Sequence, residues 1–466
     1  MTGAKKLLIY YLTEDVQNAK ERNELELLRR VGKVILVTPQ GQGPSTLGLR
    51  RISLPPQQPW LASVFAIWAS LALLLGGLAN SKTDLQFPAR NIYMRSAFAR
   101  NTVNAIWAIK SWRWLNALLP SYDFLFFAPF ALLKPFNVRR RASGRFSRVV
   151  IHDALLIRLH TFAPLVSRFR AAGVGTIGNV KSWDNPFCTQ LALRVDAYLV
   201  WSQSMWRDVE RVHGSRKTRA LVWGARPFYS FFFACRKSAE SYKQATLTCS
   251  NGITVGYAAA FGDSIMATHE VRLLRTIAQF LGRTLPEAKL LLRPYPTLSE
   301  DFYGDLLACP NVKVASIDGD EVDRFGDGRE VIRFGSDQER LNYLAACDCF
   351  LSLATSFTIE AAIFGLPIVH FYLDSTGRSS IAEKEVFRRV DISDHLLEYF
   401  LGELPTAKSY DTLVGQLRRC RDESSDARLV ARRLLTRLGI IVMVEDAARV
   451  EGNLAVTLHS IAEVHR

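Results

Sequence analysis

The sequence predicts an α/β protein with two parallel-sheet domains in tandem. First, residues 5–15, 16–32 and 33–40 read as an apolar run, an amphipathic segment and a second apolar run, which is the order strand, helix, strand. Second, short β-rich runs that end in small or polar residues recur in both halves of the chain. Third, residues 1–250 carry 35 Lys and Arg against 13 Asp and Glu, whereas residues 251–466 carry 24 against 31. Two different domains explain this division, and the basic first half is expected to meet an anionic partner.

The composition fits two or three ordinary domains. Of the 466 residues, 48% are hydrophobic, which is enough for real cores and excludes a disordered chain. The seven cysteines include no CxxC pair, which fits a reducing compartment. Cys347 and Cys349 lie in an apolar run without partners at zinc-site spacing, so we expect buried thiols and no metal site. The first apolar run is too short for a signal peptide, so a cytoplasmic location is expected.

The first domain is expected to span residues 1–245. After the opening unit, four β-rich runs continue the series: FSRVVIHD, AGVGTIGNV, DAYLVWSQ and RALVWGARP. The stretch at residues 236–251 is polar and weakly periodic, as is typical of a joint between domains.

One segment of the first domain departs from this α/β rhythm. Residues 52–81 contain no charged side chain, and residues 82–150 carry 12 basic but only 2 acidic residues. Trp, Phe and Leu beside a polybasic cluster are typical of a segment seated on an anionic membrane. For residues 60–79, a buried helix, an interfacial helix and a spanning helix remain open, although a spanning helix would separate the opening strands from their sheet. We predict a membrane-associating flank within residues 55–148, seated on the inner face of the cell membrane.

The second domain is expected at residues 246–425, followed by C-terminal helices at 426–466 that pack back on the first domain. A strand with a small-residue turn, NGITVGYAAAF, precedes the amphipathic helix ATHEVRLLRTIAQFLGRTL. The later strand candidates are AKLLLRPYP, NVKVAS, EVIRF and CDCFLSLA, with the helix DQERLNYLAAC between the last two.

Hydroxyl groups crowd the start of a predicted helix after the run CDCFLSLA. Thr355 or Ser356 would cap this helix, and its free N–H groups would form an anion site together with the hydroxyl of Thr358. Glu360, about one turn in, would accept hydrogen bonds from the two vicinal hydroxyls of a ribose. Gly365 would end the helix. This pattern predicts a nucleotide diphosphate site, and the alternative is an ordinary capped helix with Glu360 facing the helix dipole.

Polar residues follow other predicted strands in the same way. Arg293 closes the run AKLLLR before a rigid Pro-Tyr-Pro turn, where a guanidinium would clamp a phosphate; the alternative is a surface arginine at a strand end. In the first domain the corresponding residues are His152, Asp153, Trp183, Asp184, Asn185 and Gly224. A lone His-Asp pair is usually structural, but three such strand ends in one domain predict a shared cleft edge.

These motifs resemble those of the GT-B glycosyltransferases of bacterial surface polysaccharide biosynthesis, and are similar to the CDP-glycerol glycerophosphotransferase and surface-carbohydrate group. The matching positions are Ser182–Asn185, Asp196 to Trp201, Gly224, Arg293–Pro296, Asp348, Ser352, Thr355, Ser356, Glu360 and Gly365 to Pro367. The resemblance covers residues 150–375 and implies two facing Rossmann-like domains with a nucleotide-sugar in the cleft.

The resemblance also implies roles for individual residues. In the second domain, the substrate-binding residues would be Arg293, Tyr295, Ser352, Thr355, Ser356, Thr358 and Glu360. In the first domain they would be Trp183, Asn185 and Gly224. Tyr295 stands where the family has His, which puts one phosphate contact in doubt. Ser352 stands where many retaining enzymes have Glu, which argues for an inverting transfer. Such a transfer needs a general base, and the order of preference is Asp153, Asp184, His152.

The expected reaction moves a sugar from a nucleotide-sugar donor to a lipid-linked or phosphorylated cell-surface glycan. No DxD motif stands at a strand end beside these motifs, so neither a metal nor another cofactor is expected. The anionic inner membrane is the expected surface partner, and nucleic acid is disfavoured because the basic residues come with long apolar runs. Two alternatives remain open: a nucleotide-sugar 2-epimerase of the same fold, and a non-catalytic membrane-bound scaffold.

Overall fold

The computed structural model of the chain describes residues 6–13, 19–38, 49–53, 146–155, 162–183, 185–188, 191, 195–213, 218–235, 252–262, 264–295, 298–315, 322–324, 330–332, 337–353, 355–392, 404–422, 424–440 and 447–464. Most of the predicted flank at 55–148 lies outside these described residues, as does Asp184.

Fifteen strands occur among the described residues. They are β1 (Lys6–Leu12), β2 (Lys33–Thr38), β3 (Arg50–Ser53), β4 (Phe146–Asp153), β5 (Gly175–Asn179), β6 (Ala197–Val200), β7 (Arg219–Val222), β8 (Ile253–Ala258), β9 (Ala288–Arg293), β10 (Val312–Val314), β11 (Val322–Arg324), β12 (Glu330–Ile332), β13 (Cys349–Ser352), β14 (Ile368–Phe371) and β15 (Thr406–Ala407).

Helices connect most of these strands. They are α1 (Ala19–Val31), α2 (Ala163–Ala171), α3 (Asn185–Cys188), α4 (Gln203–His213), α5 (Ser264–Thr284), α6 (Gly304–Leu307), α7 (Asp337–Ala345), α8 (Phe357–Phe364), α9 (Ile381–Ile392), α10 (Tyr410–Asp422), α11 (Ser424–Arg437) and α12 (Ala447–Val464). Residues 229–235 are also helical. None of the described helices is long and apolar enough to cross a membrane.

The first sheet has seven parallel strands in the order β3-β2-β1-β4-β5-β6-β7. It belongs to a unit assigned to Met1–Pro227 and Leu438–Arg466. The C-terminal helix α12 contributes Leu454 and Leu458 to the core that covers this sheet. Parallel sheets are covered on both faces, so a strand such as AYLV is buried at every residue.

The second sheet has six parallel strands in the order β10-β9-β8-β13-β14-β15, within the unit Phe228–Arg437. Its core gathers Val255, Leu290, Leu351 and Phe371 from four neighbouring strands. The predicted strand EVIRF is β12, which pairs antiparallel with β11 outside this sheet. The strand prediction is therefore confirmed, but its partner was not predicted, because a short β-rich run does not reveal which strand it pairs with.

In both sheets the strand order begins 3-2-1-4-5-6, as in Rossmann-like domains. The predicted α/β class with two parallel-sheet domains is therefore confirmed. The order reverses between β1 and β4 in the first sheet, and between β8 and β13 in the second. Ligands of open α/β sheets bind beyond the carboxyl ends of the strands at such a reversal. The end of β4 is Asp153, and the end of β13 leads into the hydroxyl-rich start of α8.

Candidate functional site

Arg293 is the last residue of β9, and its whole side chain is buried. The residue is 2% exposed, and its guanidinium carbon lies 5.0 Å from the ring centre of Phe357, the first residue of α8. Nη2 lies 3.5 Å from a carboxylate oxygen of Glu339, which is an ion pair too long for a good hydrogen bond. Nε and Nη2 have no hydrogen-bond partner among the described residues. The site therefore contains a buried cation with unused donors.

The loop after β8 lies against the turn after β9. A Cβ on Gly262 would lie 2.3 Å from Cε1 of Tyr295, so this position accommodates only a glycine while that ring stays in place. The N–H of Tyr295 donates to the hydroxyl of Tyr303 at 3.0 Å. Burial and, to a smaller extent, the carboxylate of Glu270 raise the pKa of Tyr295. Tyr295, the residue that replaces the expected His, is thus half-buried between two strand ends.

The start of α8 lacks the side-chain capping hydrogen bond that was predicted for Ser356. Ser356 is exposed, has helical backbone angles and makes no side-chain capping hydrogen bond, so that prediction for Ser356 was wrong. A residue with helical φ and ψ does not aim its hydroxyl back at the first N–H groups, as the extended backbone of a typical N-cap does. Oγ1 of Thr355 is buried without a hydrogen-bond partner among the described residues. Gly365 ends the helix in the left-handed region at φ 90°, as predicted.

Two other predicted hydroxyls face each other in the interior. The hydroxyl oxygens of Ser352 and Thr358 are 2.7 Å apart, and these residues are 1% and 0% exposed. This pair joins the end of β13 to the first turn of α8. Each hydroxyl thereby has a partner without any ligand.

Glu360 lies in a buried ion pair that the motifs did not predict. Nη1 of Arg340, on α7, donates to Oε1 of Glu360 at 2.7 Å. Arg340 also donates to Asp337, and its guanidinium carbon lies 5.0 Å from the ring centre of Phe231. Oε2 of Glu360 is buried and has no hydrogen-bond partner in the described part of the chain. Glu360 is 6% exposed, so it presents one committed and one uncommitted oxygen.

In each unit, a buried glutamate links the first helix to the first strand of the sheet. The sequence motifs did not predict either glutamate. Glu270 of α5 accepts from the Tyr257 hydroxyl at 2.6 Å. Glu24 of α1 accepts from the Tyr11 hydroxyl, and also from Nδ2 of Asn179 at 2.7 Å. In both sheets the glutamate follows the tyrosine by 13 residues, a spacing that could have been found by comparing the two halves of the sequence.

Glu270 also fixes the loop that follows β8. The N–H of Ala260 donates to it at 2.7 Å and that of Phe261 at 3.4 Å. Burial raises the pKa of Glu270 to about 7. These two loop donors therefore point inward to a carboxylate, whereas Nε and Nη2 of Arg293 have no hydrogen-bond partner among the described residues.

The edge of the first sheet holds Asp153 and His152. Asp153 is half-buried at the end of β4, and its Oδ1 accepts from the N–H of Leu155 at 2.9 Å. His152 is 1% exposed, and its Nδ1 lies 2.8 Å from the carbonyl oxygen of Asp153. A carbonyl only accepts, so Nδ1 carries the proton and the buried Nε2 is an acceptor. Burial lowers the pKa of His152 to about 4, so it is neutral near pH 7.

The remaining predicted residues of the first domain shape local backbone. Trp183 is 3% and Asn185 is 4% exposed. Oδ1 of Asn185 accepts from the N–H of Ser182 at 3.0 Å, which closes the turn before α3. Gly224 has φ 87°, a left-handed conformation that favours glycine. In the described part of the chain, no three His, Cys, Asp or Glu side chains cluster as metal ligands would.

The chain shares its fold with known structures. No protein-family model matches it, and no curated protein matches it. An α,α-trehalose 6-phosphate synthase from Burkholderia multivorans matches with a TM-score of 0.50 and 9% identity, over 99% of this chain and 98% of the synthase. A UDP-forming α,α-trehalose-phosphate synthase from Burkholderia xenovorans matches with a TM-score of 0.50 and 8% identity, over 98% of this chain and 99% of the synthase. At such identities the likeness shows the fold alone, which is the GT-B fold with two Rossmann-like domains.

Proposed function

We propose that this chain is a glycosyltransferase that moves a sugar from a nucleotide-sugar to a lipid-linked or cell-surface glycan. The observation that carries the proposal is the buried guanidinium of Arg293 at the carboxyl end of β9, with donors unused among the described residues. Leaving a buried donor unsatisfied costs about 1–3 kcal/mol, and more for a charged group. A phosphate oxygen would remove that cost through a charge-assisted hydrogen bond.

The surroundings of Arg293 favour a diphosphate over a lone phosphate. The start of α8, which touches Arg293 through Phe357, adds the positive end of the helix dipole. Oγ1 of Thr355, which has no hydrogen-bond partner in the part of the chain that the structure describes, adds a hydroxyl donor. A guanidinium and a helix start can therefore neutralise a diphosphate, which is the leaving group of sugar transfer from a nucleoside diphosphate. The fold is shared with a synthase named as UDP-forming, in agreement with such a leaving group.

The ribose would lie at Glu360. Its uncommitted Oε2 is an acceptor that matches a sugar hydroxyl, and a hydroxyl bonded to a carboxylate gains more than one bonded to a neutral group. Of the other predicted contacts, Ser352 and Thr358 satisfy each other, so their part in the proposal is to hold the end of β13 against α8.

The acceptor would bind at the first sheet, where Asp153 is the proposed base of an inverting transfer. Its carboxylate lies at the carboxyl end of β4, next to the reversal of strand order. His152 is the weaker choice because it is almost wholly buried. Asp184 keeps its place as second choice, and metal independence remains a prediction. The basic flank at 55–148 would bring the chain to an anionic membrane that carries a lipid-linked acceptor.

Nucleotide titration tests the proposal. In a panel of UDP, GDP, CDP, CMP and dTDP, we expect one of the ribonucleotides to bind and to add about 2.7 kcal/mol to stability at 100 times its dissociation constant. Arg293→Ala and Glu360→Ala should each weaken binding about tenfold or more while the protein stays folded. Arg388→Ala, on the surface of α9 in the same unit, is the matched control. Unchanged affinity in both site variants would refute the site, and binding without transfer to any glycan would favour the epimerase or the scaffold.

A further inference from the structure

Arg340 donates a hydrogen bond to one carboxylate oxygen of Glu360, and this contact bears on which nucleotide-sugar the site would bind. We propose that Arg340 is a positioning residue that presents Oε2 of Glu360 to a ribose hydroxyl, and thereby makes the site select ribonucleotides over 2′-deoxyribonucleotides. This inference rests on the proposed function, because it assumes that a nucleotide binds at α8. It names the substrate class more narrowly, as sugars carried on a ribonucleoside diphosphate.

The guanidinium of Arg340 is held by partners around it. It donates to Glu360 at 2.7 Å and to Asp337, and it lies over the ring of Phe231 at 5.0 Å. Burial disfavours its charge, but Glu360 and Asp337 outweigh burial and raise the pKa of Arg340. The residue is 8% exposed, so water does not loosen these contacts. A planar fork with two carboxylates and a ring has little freedom to turn.

The fixed guanidinium of Arg340 also restricts the orientation of the Glu360 carboxylate. With Oε1 committed to Arg340, rotation of the carboxylate would cost a buried charge-assisted hydrogen bond. Oε2, which has no partner among the described residues, therefore keeps one direction before any ligand arrives. A preorganised acceptor binds a ligand with the matching hydroxyl more tightly. A ligand without that hydroxyl leaves the acceptor unpaired and binds more weakly. A 2′-deoxyribose lacks one of the two vicinal hydroxyls.

The experiment measures the dissociation constants of the bound ribonucleoside diphosphate and of its 2′-deoxy counterpart, for instance UDP and dUDP. The wild-type chain should prefer the ribonucleotide about tenfold or more. Arg340→Lys keeps the charge but lacks the planar fork that fixes both carboxylates in place, and Arg340→Met removes the charge. Both should lower this ratio by about threefold or more, with deoxynucleotide affinity nearly unchanged. Glu360→Gln should lower it likewise, whereas Asp337→Asn, which changes the other partner of Arg340, should preserve it.

The outcomes separate this inference from the proposed function. If the wild-type chain binds no nucleotide, the proposed function and this inference are both refuted. If it binds nucleotides but Arg340→Lys weakens UDP and dUDP equally, Arg340 is merely structural and this inference alone is overturned. Should Arg340→Met not fold by circular dichroism, Arg340→Lys and Glu360→Gln still decide, because a wild-type ratio in both would contradict the proposal.

Discussion

At the scale of single residues, the candidate site combines features set by local sequence with a contact between two helices. Arg293 does end a strand, and Gly365 does end a helix in the left-handed region, because both follow from local pattern. The pairing of Glu360 with Arg340 joins residues 20 apart on two helices, so it depends on how α7 and α8 pack. Local sequence carries no signal for that packing. The same holds for Ser352 and Thr358, whose hydroxyls turn toward each other.

The proposed base gives a prediction for one residue. Asp153→Asn keeps the side-chain oxygen that accepts the N–H of Leu155 but removes the carboxylate. General-base catalysis contributes about 10²–10⁴-fold, so turnover should fall by that factor while donor affinity is retained. Steady-state transfer rates and nucleotide titrations check this. His152→Ala and Asp184→Asn are compared in parallel, and a collapse of turnover in one of them with near-normal Asp153→Asn would assign the base there.

At the scale of elements, the two units share a hydrogen bond between the first strand and the first helix that local patterns did not predict. In each, a tyrosine on the first strand bonds a buried glutamate on the first helix, 13 residues later. Helix and strand periodicity predicted β8 and α5, but not that Glu270 turns inward, since glutamate is usually exposed. The inward turn is explained by its donors, which are Tyr257 and the loop N–H groups. The antiparallel hairpin of β11 and β12 was likewise missed, because pairing is not local.

Glu270 predicts a pH dependence of stability. Burial raises its pKa from 4.5 to about 7, so between these values the folded protein holds a proton that the unfolded chain has lost. The free energy of unfolding is therefore largest below pH 4.5. It falls by about 3 kcal/mol as the pH rises through about 7. We expect the thermal midpoint of the wild-type chain to fall by about 6–12 °C more than that of Glu270→Gln between pH 5 and pH 8. Glu385→Gln, on the surface of α9, is the control, and an equal fall in Glu270→Gln would contradict the prediction.

At the scale of the whole molecule, two parallel sheets were predictable because each is built from repeated strand and helix patterns. The strand orders were not, since β4 pairs with β1 across more than a hundred intervening residues. The C-terminal helices were expected to pack back on the first domain, and α12 does supply core residues to the first sheet. The likeness to two synthases of 8% and 9% identity establishes the fold and leaves the activity to experiment.

The flank at 55–148 carries a prediction for the whole chain. Its uncharged stretch and its 12 basic residues at 82–150 should act together on an anionic bilayer. The protein should float with vesicles that contain anionic lipid and should be released as salt rises. Flotation with neutral vesicles at high salt would refute the electrostatic part, and no flotation at all would favour a flank that is simply core.

The central claim is that a nucleoside diphosphate binds at the carboxyl edge of the second sheet. Hydrogen–deuterium exchange of the full chain, with and without saturating nucleotide, tests it most directly, because bound ligands slow the opening of the backbone they contact. We predict slower exchange in peptides covering residues 291–295 and 355–366, and a clearly smaller change in Arg293→Ala when both proteins are compared at a nucleotide concentration near the wild-type dissociation constant. Saturated binding that leaves both peptides unchanged, or that protects only the edge of the first sheet, would contradict the claim.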